Sequence, residues 1–275
     1  MNNNLVQRIL TALVAGSATI AAILFSPYGL WVFCTLVATL GLWEMLGLLE
    51  ITRRRYRWFA LGYGLSVWLL LLLEIVAETM LEIPATPYLI VSVSFLPVVA
   101  IIMLFDARQE NPVKTLSAMV MSAVYCFLPF FLFYRISVPP ISADYDAALP
   151  MGILGLTWVL DSGAYFVGRW MGRHPLFPRV SPKKTWEGAV GAVILCVGLG
   201  LLLDYWLNPE GYQWVVIAVI ISVASQLGDL VESMFKRSIS VKDSGSILPG
   251  HGGILDRFDG MYVSVPFLFL YFSLL

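Results

Sequence analysis

Charged residues and glycines crowd into one short stretch near the C-terminal end of an otherwise very apolar chain. The stretch covers residues 233–259, and long apolar segments flank it on both sides. Because charge is costly in hydrocarbon, ionisable residues at the ends of membrane helices indicate a functional site. Together with the residues just before it, the stretch supplies Asp229, Glu232, Lys236, Arg237, Lys242, Asp243, Gly245, Gly250, His251, Gly252, Gly253, Asp256, Arg257 and Asp259.

The acidic residues of this stretch belong to the two apolar segments that flank it. Asp229, Glu232 and Lys236 are spaced i, i+3 and i+7, which places them on one face of a helix. Asp256 and Asp259 are spaced i and i+3 at the start of the next helix. Converging carboxylates repel one another unless a cation neutralises them, and all-oxygen ligands favour a hard ion such as Mg²⁺. The spacing therefore predicts a Mg²⁺ site, and the basic residues nearby are available to phosphates.

A second basic segment, residues 179–188, lies just before another long apolar run. Ser181 followed by Pro182 predicts the cap and first turn of a helix. Lys183, Lys184 and Thr185 would then lie at a helix start, where ammonium groups and free backbone N–H groups together suit a phosphate. The alternative is a membrane anchor that contacts anionic lipid headgroups.

Asp161 lies in the middle of an apolar run, so its carboxylate must face protein or water rather than lipid. It is either a site residue or a structural polar contact. Ala164, Gly168 and Gly172 follow at intervals of four, which predicts a stripe of small residues that lets another helix approach closely.

The composition requires a bilayer. The 275 residues are 59% hydrophobic and only 13% charged, whereas soluble domains are roughly 25% charged. The net charge of −1 gives no indication of a nucleic-acid partner. Apolar runs of spanning length are expected to be helices, because lipid offers no partner for open backbone groups. Nine such runs cover residues 5–25, 28–49, 58–77, 88–105, 115–134, 151–171, 188–207, 213–235 and 257–275.

The basic residues predict the orientation of these nine spans. With a cytoplasmic N-terminus and alternating spans, every lysine and arginine except Arg135 falls on the cytoplasmic side. We therefore expect an all-α polytopic membrane bundle with its C-terminus on the opposite side. It is interpreted as one membrane domain over 1–275, with a helical scaffold over 1–150 and the site-bearing helices over 151–275.

From the residues alone, two classes of function stay open. One is an enzyme with a cytoplasm-facing site for a metal ion and a polyphosphate. The other is an ion-coupled transporter that uses Asp161, Asp229 and Glu232 as its coupling site. The glycine-rich loop is neither a Walker A loop nor a dinucleotide-binding fingerprint. The basic residues mixed into the acidic stretch favour phosphate chemistry.

The charged stretch resembles the signature of the phosphatidate cytidylyltransferase family, also called CDP-diacylglycerol synthases, over its whole length. Three further segments, 161–165, 181–188 and 228–233, also resemble that family, whereas the N-terminal helices match only in character. The signature reads here as Ser233-x-x-Lys236-Arg237, Lys242-Asp243-x-Gly245 and His251-Gly252-Gly253-x-x-Asp256-Arg257-x-Asp259.

The resemblance implies that phosphatidate and CTP react to give CDP-diacylglycerol and pyrophosphate. It also implies Mg²⁺, with a second cation left open, and a homodimer in the cell's inner membrane. An enzyme of similar architecture acting on another lipid phosphate, including a lipid kinase, is the remaining alternative. The resemblance and the spacing together assign the metal to Asp229 and Asp256, with Asp161, Glu232 and Asp259 as weaker ligands. The expected catalytic residues are Asp229, Lys236, Lys242, Asp243, His251, Asp256 and Asp259. The expected substrate-binding residues are Ser181, Lys183, Lys184, Thr185, Glu187, Lys236, Arg237, Lys242, Gly252, Gly253 and Arg257.

Overall fold

The structure is a computed structural model that describes residues 2–51, 53–80, 97–106, 110–138, 145–207, 213–245, 247, 250 and 252–275. Nine helices and one two-stranded sheet occur within these residues. The helices are α1 (Asn2–Phe25), α2 (Pro27–Leu48), α3 (Arg54–Met80), α4 (97–104), α5 (Pro112–Ser137), α6 (Ala148–Met171), α7 (Trp186–Leu207), α8 (Trp214–Ser238) and α9 (Leu255–Ser273). The strands are β1 (Pro175–Phe177) and β2 (Ser181–Thr185).

All nine apolar runs fall on these helices, the fourth only over the part that the structure describes. Five helices, α2, α5, α6, α7 and α8, are long and apolar enough to cross a membrane. The prediction of an all-α, membrane-type architecture is therefore confirmed for the described ranges. The number of spans and their orientation stay predictions.

The chain forms two compact units. One contains Met1–Leu30 and Asp146–Leu275, and the other contains Trp31–Tyr145. In the second unit, α3 packs on α5 through Trp68, whose ring meets Phe127 and Phe131 edge to face at centroid distances of 6.2 and 5.7 Å. The predicted roles of 1–150 and 151–275 are not tested by this division.

The first unit holds its helices together through small residues. A methyl group added to Gly188 of α7 would lie 2.8 Å from the carbonyl oxygen of Ala164 and 2.9 Å from the Cα of Gly168, both on α6. The predicted small-residue stripe is thus confirmed as a helix-packing surface.

The predicted helix start at Ser181 and Pro182 is wrong. Residues 181–185 form β2, which pairs with β1 in an antiparallel hairpin, and α7 begins only at Trp186. The helix is capped by Thr185, whose hydroxyl accepts a 3.2 Å hydrogen bond from the backbone N–H of Gly188. Cap and first turn therefore lie four residues later than the Ser-Pro pair indicates.

Helices α8 and α9 approach each other closely at Gly228. A methyl group at this position would lie 2.6 Å from the carbonyl oxygen of Asp259 and 3.2 Å from the Cα of Gly260. Both groups belong to the backbone and cannot rotate away. The spacing of the two helices therefore requires glycine at 228.

We expect Gly228→Ala to lower the stability of the protein by about 1–3 kcal/mol, because the added methyl overpacks a backbone contact. The measurement is thermal unfolding of the purified protein in detergent. Gly198→Ala on α7 is the matched control, since no described atom lies within 4 Å of a methyl group there. Equal melting temperatures for the two variants would show that α8 and α9 are not held together at Gly228.

Candidate active site

A cavity of about 620 Å³ with several charged residues on its wall lies among α6, the β-hairpin, α7, α8 and α9, all within the first compact unit. Its volume falls in the range of small-molecule and cofactor sites. The predicted site residues that line it are Asp161, Lys183, Lys184, Thr185, Asp229, Asp256, Arg257 and Asp259.

Carboxylates from three helices meet in this cavity. Asp161 comes from α6, Asp229 from α8, and Asp256 and Asp259 from the first turns of α9. Asp229 forms an ion pair with Lys184 of β2 and accepts a 3.3 Å hydrogen bond from the hydroxyl of Ser233. The predicted convergence of the two acidic helix ends is therefore present, and Asp161 joins them.

Lys236 is buried between two carboxylates rather than turned toward the cavity. Its Nζ lies 2.9 Å from Oε2 of Glu232 and 2.6 Å from Oδ1 of Asp256. Because Glu232 and Lys236 are one turn apart on α8 and Asp256 is on α9, the three charges join the two helices. Neither Lys236 nor Glu232 lines the cavity, so their main effect is to hold the structure around it.

Asp256 also holds the glycine-rich loop. Its Oδ2 accepts hydrogen bonds from the backbone N–H of Ser244 at 3.0 Å, the hydroxyl of Ser244 at 2.9 Å and the backbone N–H of Gly253 at 2.8 Å. The turn that brings Gly253 to this position has Gly252 at a φ of +83°, a conformation that favours glycine. Gly252 and Gly253 thus shape the loop around one carboxylate.

The hairpin carries its two lysines to the cavity wall. Pro175 pairs with Thr185 and Phe177 with Ser181, so Lys183 and Lys184 lie on the strand that leads into α7. Lys183 lines the cavity, and Lys184 does so while paired with Asp229. Phosphate binding by Lys183 and Lys184 stays a prediction, now from a strand rather than from a helix start.

Glu187, at the start of α7, holds the segment that leads into β1. One oxygen accepts hydrogen bonds from the backbone N–H groups of Arg173 at 3.0 Å and His174 at 3.2 Å. The other lies 2.5 Å from Nδ1 of His174. Glu187 does not line the cavity, so the structure gives it a supporting position behind the lysine-bearing strand.

Several other predicted residues lie away from the cavity wall. Arg237 donates to the carbonyl oxygens of Val180 at 3.3 Å and Val241 at 3.1 Å, which ties the end of α8 to the hairpin turn. Lys242 and Asp243 have exposed side chains in the loop after α8. Ser181 lies at the far end of β2, and His251 falls outside the described residues.

Sequence reasoning missed part of the cavity wall. Tyr165 and Arg169 of α6 and Gln226 of α8 also line it. The signal was present, because Tyr165 and Arg169 follow Asp161 at i+4 and i+8, and Gln226 precedes Asp229 by three residues.

The donor set suits a hard cation, although it is not arranged as a closed metal site. Among the described residues, no three acidic, histidine or cysteine side chains have metal-binding geometry. The carboxylate of Asp229 forms an ion pair with the ammonium group of Lys184. Oδ1 of Asp256 accepts one hydrogen bond, from Lys236, and a carboxylate oxygen offers about two acceptor sites. Both residues therefore have oxygen atoms that could ligate Mg²⁺.

Comparison with known proteins assigns the chain to a family. The chain is 33% identical to a phosphatidate cytidylyltransferase of Haemophilus influenzae over 98% of this chain and 99% of the relative. It is 33% identical to the protein of that name from Staphylococcus aureus over 95% of this chain and 96% of the relative. The Staphylococcus saprophyticus protein of the same name is 51% identical over 41% of this chain and 44% of its own. The profile of the cytidylyltransferase family matches residues 6–275, and the chain belongs to that family.

Proposed function

We propose that this protein transfers the cytidylyl group of CTP to phosphatidate, giving CDP-diacylglycerol and pyrophosphate. The observation that carries the proposal is the cavity that combines carboxylates from three helices with lysines of the hairpin. The names of the full-length relatives point to the same reaction. An ion-coupled transporter is disfavoured, because the chain belongs to the cytidylyltransferase family.

The reaction needs little acid–base chemistry from the protein. The attacking group is a phosphate monoester oxygen that is already ionised near neutral pH. The protein must instead neutralise two anions, align them and stabilise the leaving pyrophosphate. Lys183 and Arg257 supply positive charge on the cavity wall. The N-terminal ends of α7 and α9 also reach the cavity, and their dipoles favour phosphate.

We propose that Asp229 and Asp256 would hold Mg²⁺. Of the weaker predicted ligands, Asp161 and Asp259 line the cavity, whereas Glu232 is paired with Lys236 and does not. When bound, Mg²⁺ would neutralise the CTP phosphates and act as a Lewis acid. Lys184, which pairs with Asp229 in the structure, would offer its ammonium group to a phosphate oxygen. A second cation stays a prediction, and so does a homodimer.

The membrane setting follows from the lipid substrate. We propose nine spans with the N-terminus in the cytoplasm, the cavity facing the cytoplasm and the C-terminus outside, in the cell's inner membrane. This arrangement places the cavity on the side where CTP is present. The distribution of lysine and arginine supports it.

Glu187 is proposed to position the lysine-bearing strand rather than to bind substrate. It makes three hydrogen bonds with the segment before β1, and all three hold the hairpin against α7. If the hairpin moves by as little as 1 Å, Lys183 and Lys184 no longer meet the phosphates correctly.

The test of the proposed function is an assay of the purified protein in detergent with labelled CTP, Mg²⁺ and phosphatidate. Formation of both CDP-diacylglycerol and pyrophosphate is the expected result. Parallel reactions with prenyl phosphates test the alternative acceptor. A well-folded protein that forms no product with phosphatidate would overturn the proposal.

Asp229→Asn should lower kcat by about 10²–10³-fold, the usual effect of losing one preorganised electrostatic contact in a transition state. It should also raise the Mg²⁺ concentration that gives half-maximal activity. Glu50→Gln is the control, because Glu50 is exposed and lies outside the cavity. An unchanged Mg²⁺ dependence would remove Asp229 from the metal site.

Glu187→Ala should raise the KM for CTP about tenfold, since it removes all three hydrogen bonds to the segment that leads into β1. His174→Ala removes only the side-chain contact and should have a smaller effect. Both values come from the same assay at saturating phosphatidate. If His174→Ala is as severe as Glu187→Ala, the backbone hydrogen bonds do not hold the strand in place.

The proposed orientation predicts that alkaline phosphatase fused after Leu275 is active in bacterial cells, because that enzyme folds only outside the cytoplasm. Fusion to the loop after α8 should give an inactive reporter. The opposite pattern would invert the topology and place the cavity on the outer side.

A further inference from the structure

Arg169 is a cation on the cavity wall that the proposed chemistry leaves unused. It lies in the last turn of α6, and its Nη1 donates a 3.0 Å hydrogen bond to the hydroxyl of Tyr165 one turn earlier. Both side chains line the cavity. Lys184 and Lys236 are paired with carboxylates, whereas no ion pair to Arg169 occurs among the described residues.

The guanidinium of Arg169 has donors to spare. Arginine carries five N–H donors in a fixed fork that matches two oxygens of a phosphate, and the contact with Tyr165 uses one of them. The C-terminal end of a helix repels an anion through its dipole. A phosphate at this end of α6 therefore depends on the arginine, and the Tyr165 hydroxyl can hold the fork in place.

The surroundings of Arg169 indicate which phosphate would reach it. The next residue, Trp170, is 84% exposed, and Phe166, one turn before it, is 68% exposed. Exposed aromatic side chains at the end of a membrane helix are typical of the headgroup layer of a bilayer. This wall of the cavity therefore adjoins lipid headgroups, whereas Lys184 lies beside the carboxylates that are proposed to hold Mg²⁺.

We propose that Arg169, oriented by Tyr165, binds the phosphate of the lipid substrate and so separates its subsite from that of the nucleotide. The inference rests on the proposed function in that the lipid is a phosphate monoester with its chains in the bilayer. The headgroup enters beside Trp170 and Arg169, and the nucleotide phosphates lie deeper, near Lys184 and Asp229.

The experiment measures two Michaelis constants for each variant in mixed micelles. In Arg169→Gln, the KM for phosphatidate should rise about tenfold, the effect of losing one charged hydrogen-bonding group. The KM for CTP should stay within about twofold. Arg169→Lys should show a smaller rise, since a lysine keeps the charge but not the fork. Tyr165→Phe should raise the KM for phosphatidate by less than Arg169→Gln does.

Arg173→Gln is the matched control. This arginine follows α6, and its exposed side chain does not line the cavity. Its contact with Glu187 is made by the backbone N–H, which the substitution keeps. Both constants should equal those of the unchanged protein. A rise in the KM for CTP alone in Arg169→Gln would assign Arg169 to the nucleotide, and no change in either constant would refute the subsite.

A binding measurement tests the lipid subsite independently of the proposed reaction. Phosphatidate added without CTP should raise the melting temperature of the unchanged protein more than that of Arg169→Gln, whose melting temperature without lipid is the folding control. Should the unchanged protein show this stabilisation but form no CDP-diacylglycerol, the lipid subsite would stand and the proposed reaction would fall. Equal stabilisation of both proteins would overturn the subsite.

Discussion

The structure of the site depends on one buried charge, the ammonium group of Lys236. It lies between Glu232 on its own helix and Asp256 on the next, and all three residues are largely withdrawn from solvent. Removing one partner of a buried ion pair costs about 3–5 kcal/mol, because the other charge is left without compensation. The lysine therefore fixes how the end of α8 meets the start of α9.

The carboxylate of Asp256, which pairs with Lys236, also holds the loop between α8 and α9. Asp256 accepts three further hydrogen bonds, from two groups of Ser244 and from Gly253. One side chain thus links the end of α8, the start of α9 and the loop between them. Gly228 sets the distance between the helices, and the contact of its backbone with that of Asp259 brings Asp229 and Asp259 to the same cavity.

The helices and the acidic convergence were predictable from the sequence, because both depend on local spacing. Continuous apolar runs specify helices wherever lipid is the solvent, and i, i+3 spacing places Asp256 and Asp259 together. The hairpin was not predictable in this way. Ser181 and Pro182 have the local chemistry of a helix start, and only the pairing with Pro175 and Phe177, a tertiary contact, makes the segment a strand. The role of Lys236 was missed for a similar reason, since composition cannot distinguish a lysine that binds phosphate from one that is buried between carboxylates.

Preformed ion pairs bear on how a highly charged substrate could enter this cavity. Charges brought into a poorly solvated space cost free energy unless partners are already present. Here Lys184 already pairs with Asp229 on the cavity wall, so neither charge is left without a partner. If Asp229 held a cation, the ammonium group of Lys184 would be available to a phosphate oxygen. Lys236 could not serve a phosphate without releasing both Glu232 and Asp256. The two lysines therefore differ in role, because Lys184 lines the cavity whereas Lys236 joins α8 to α9.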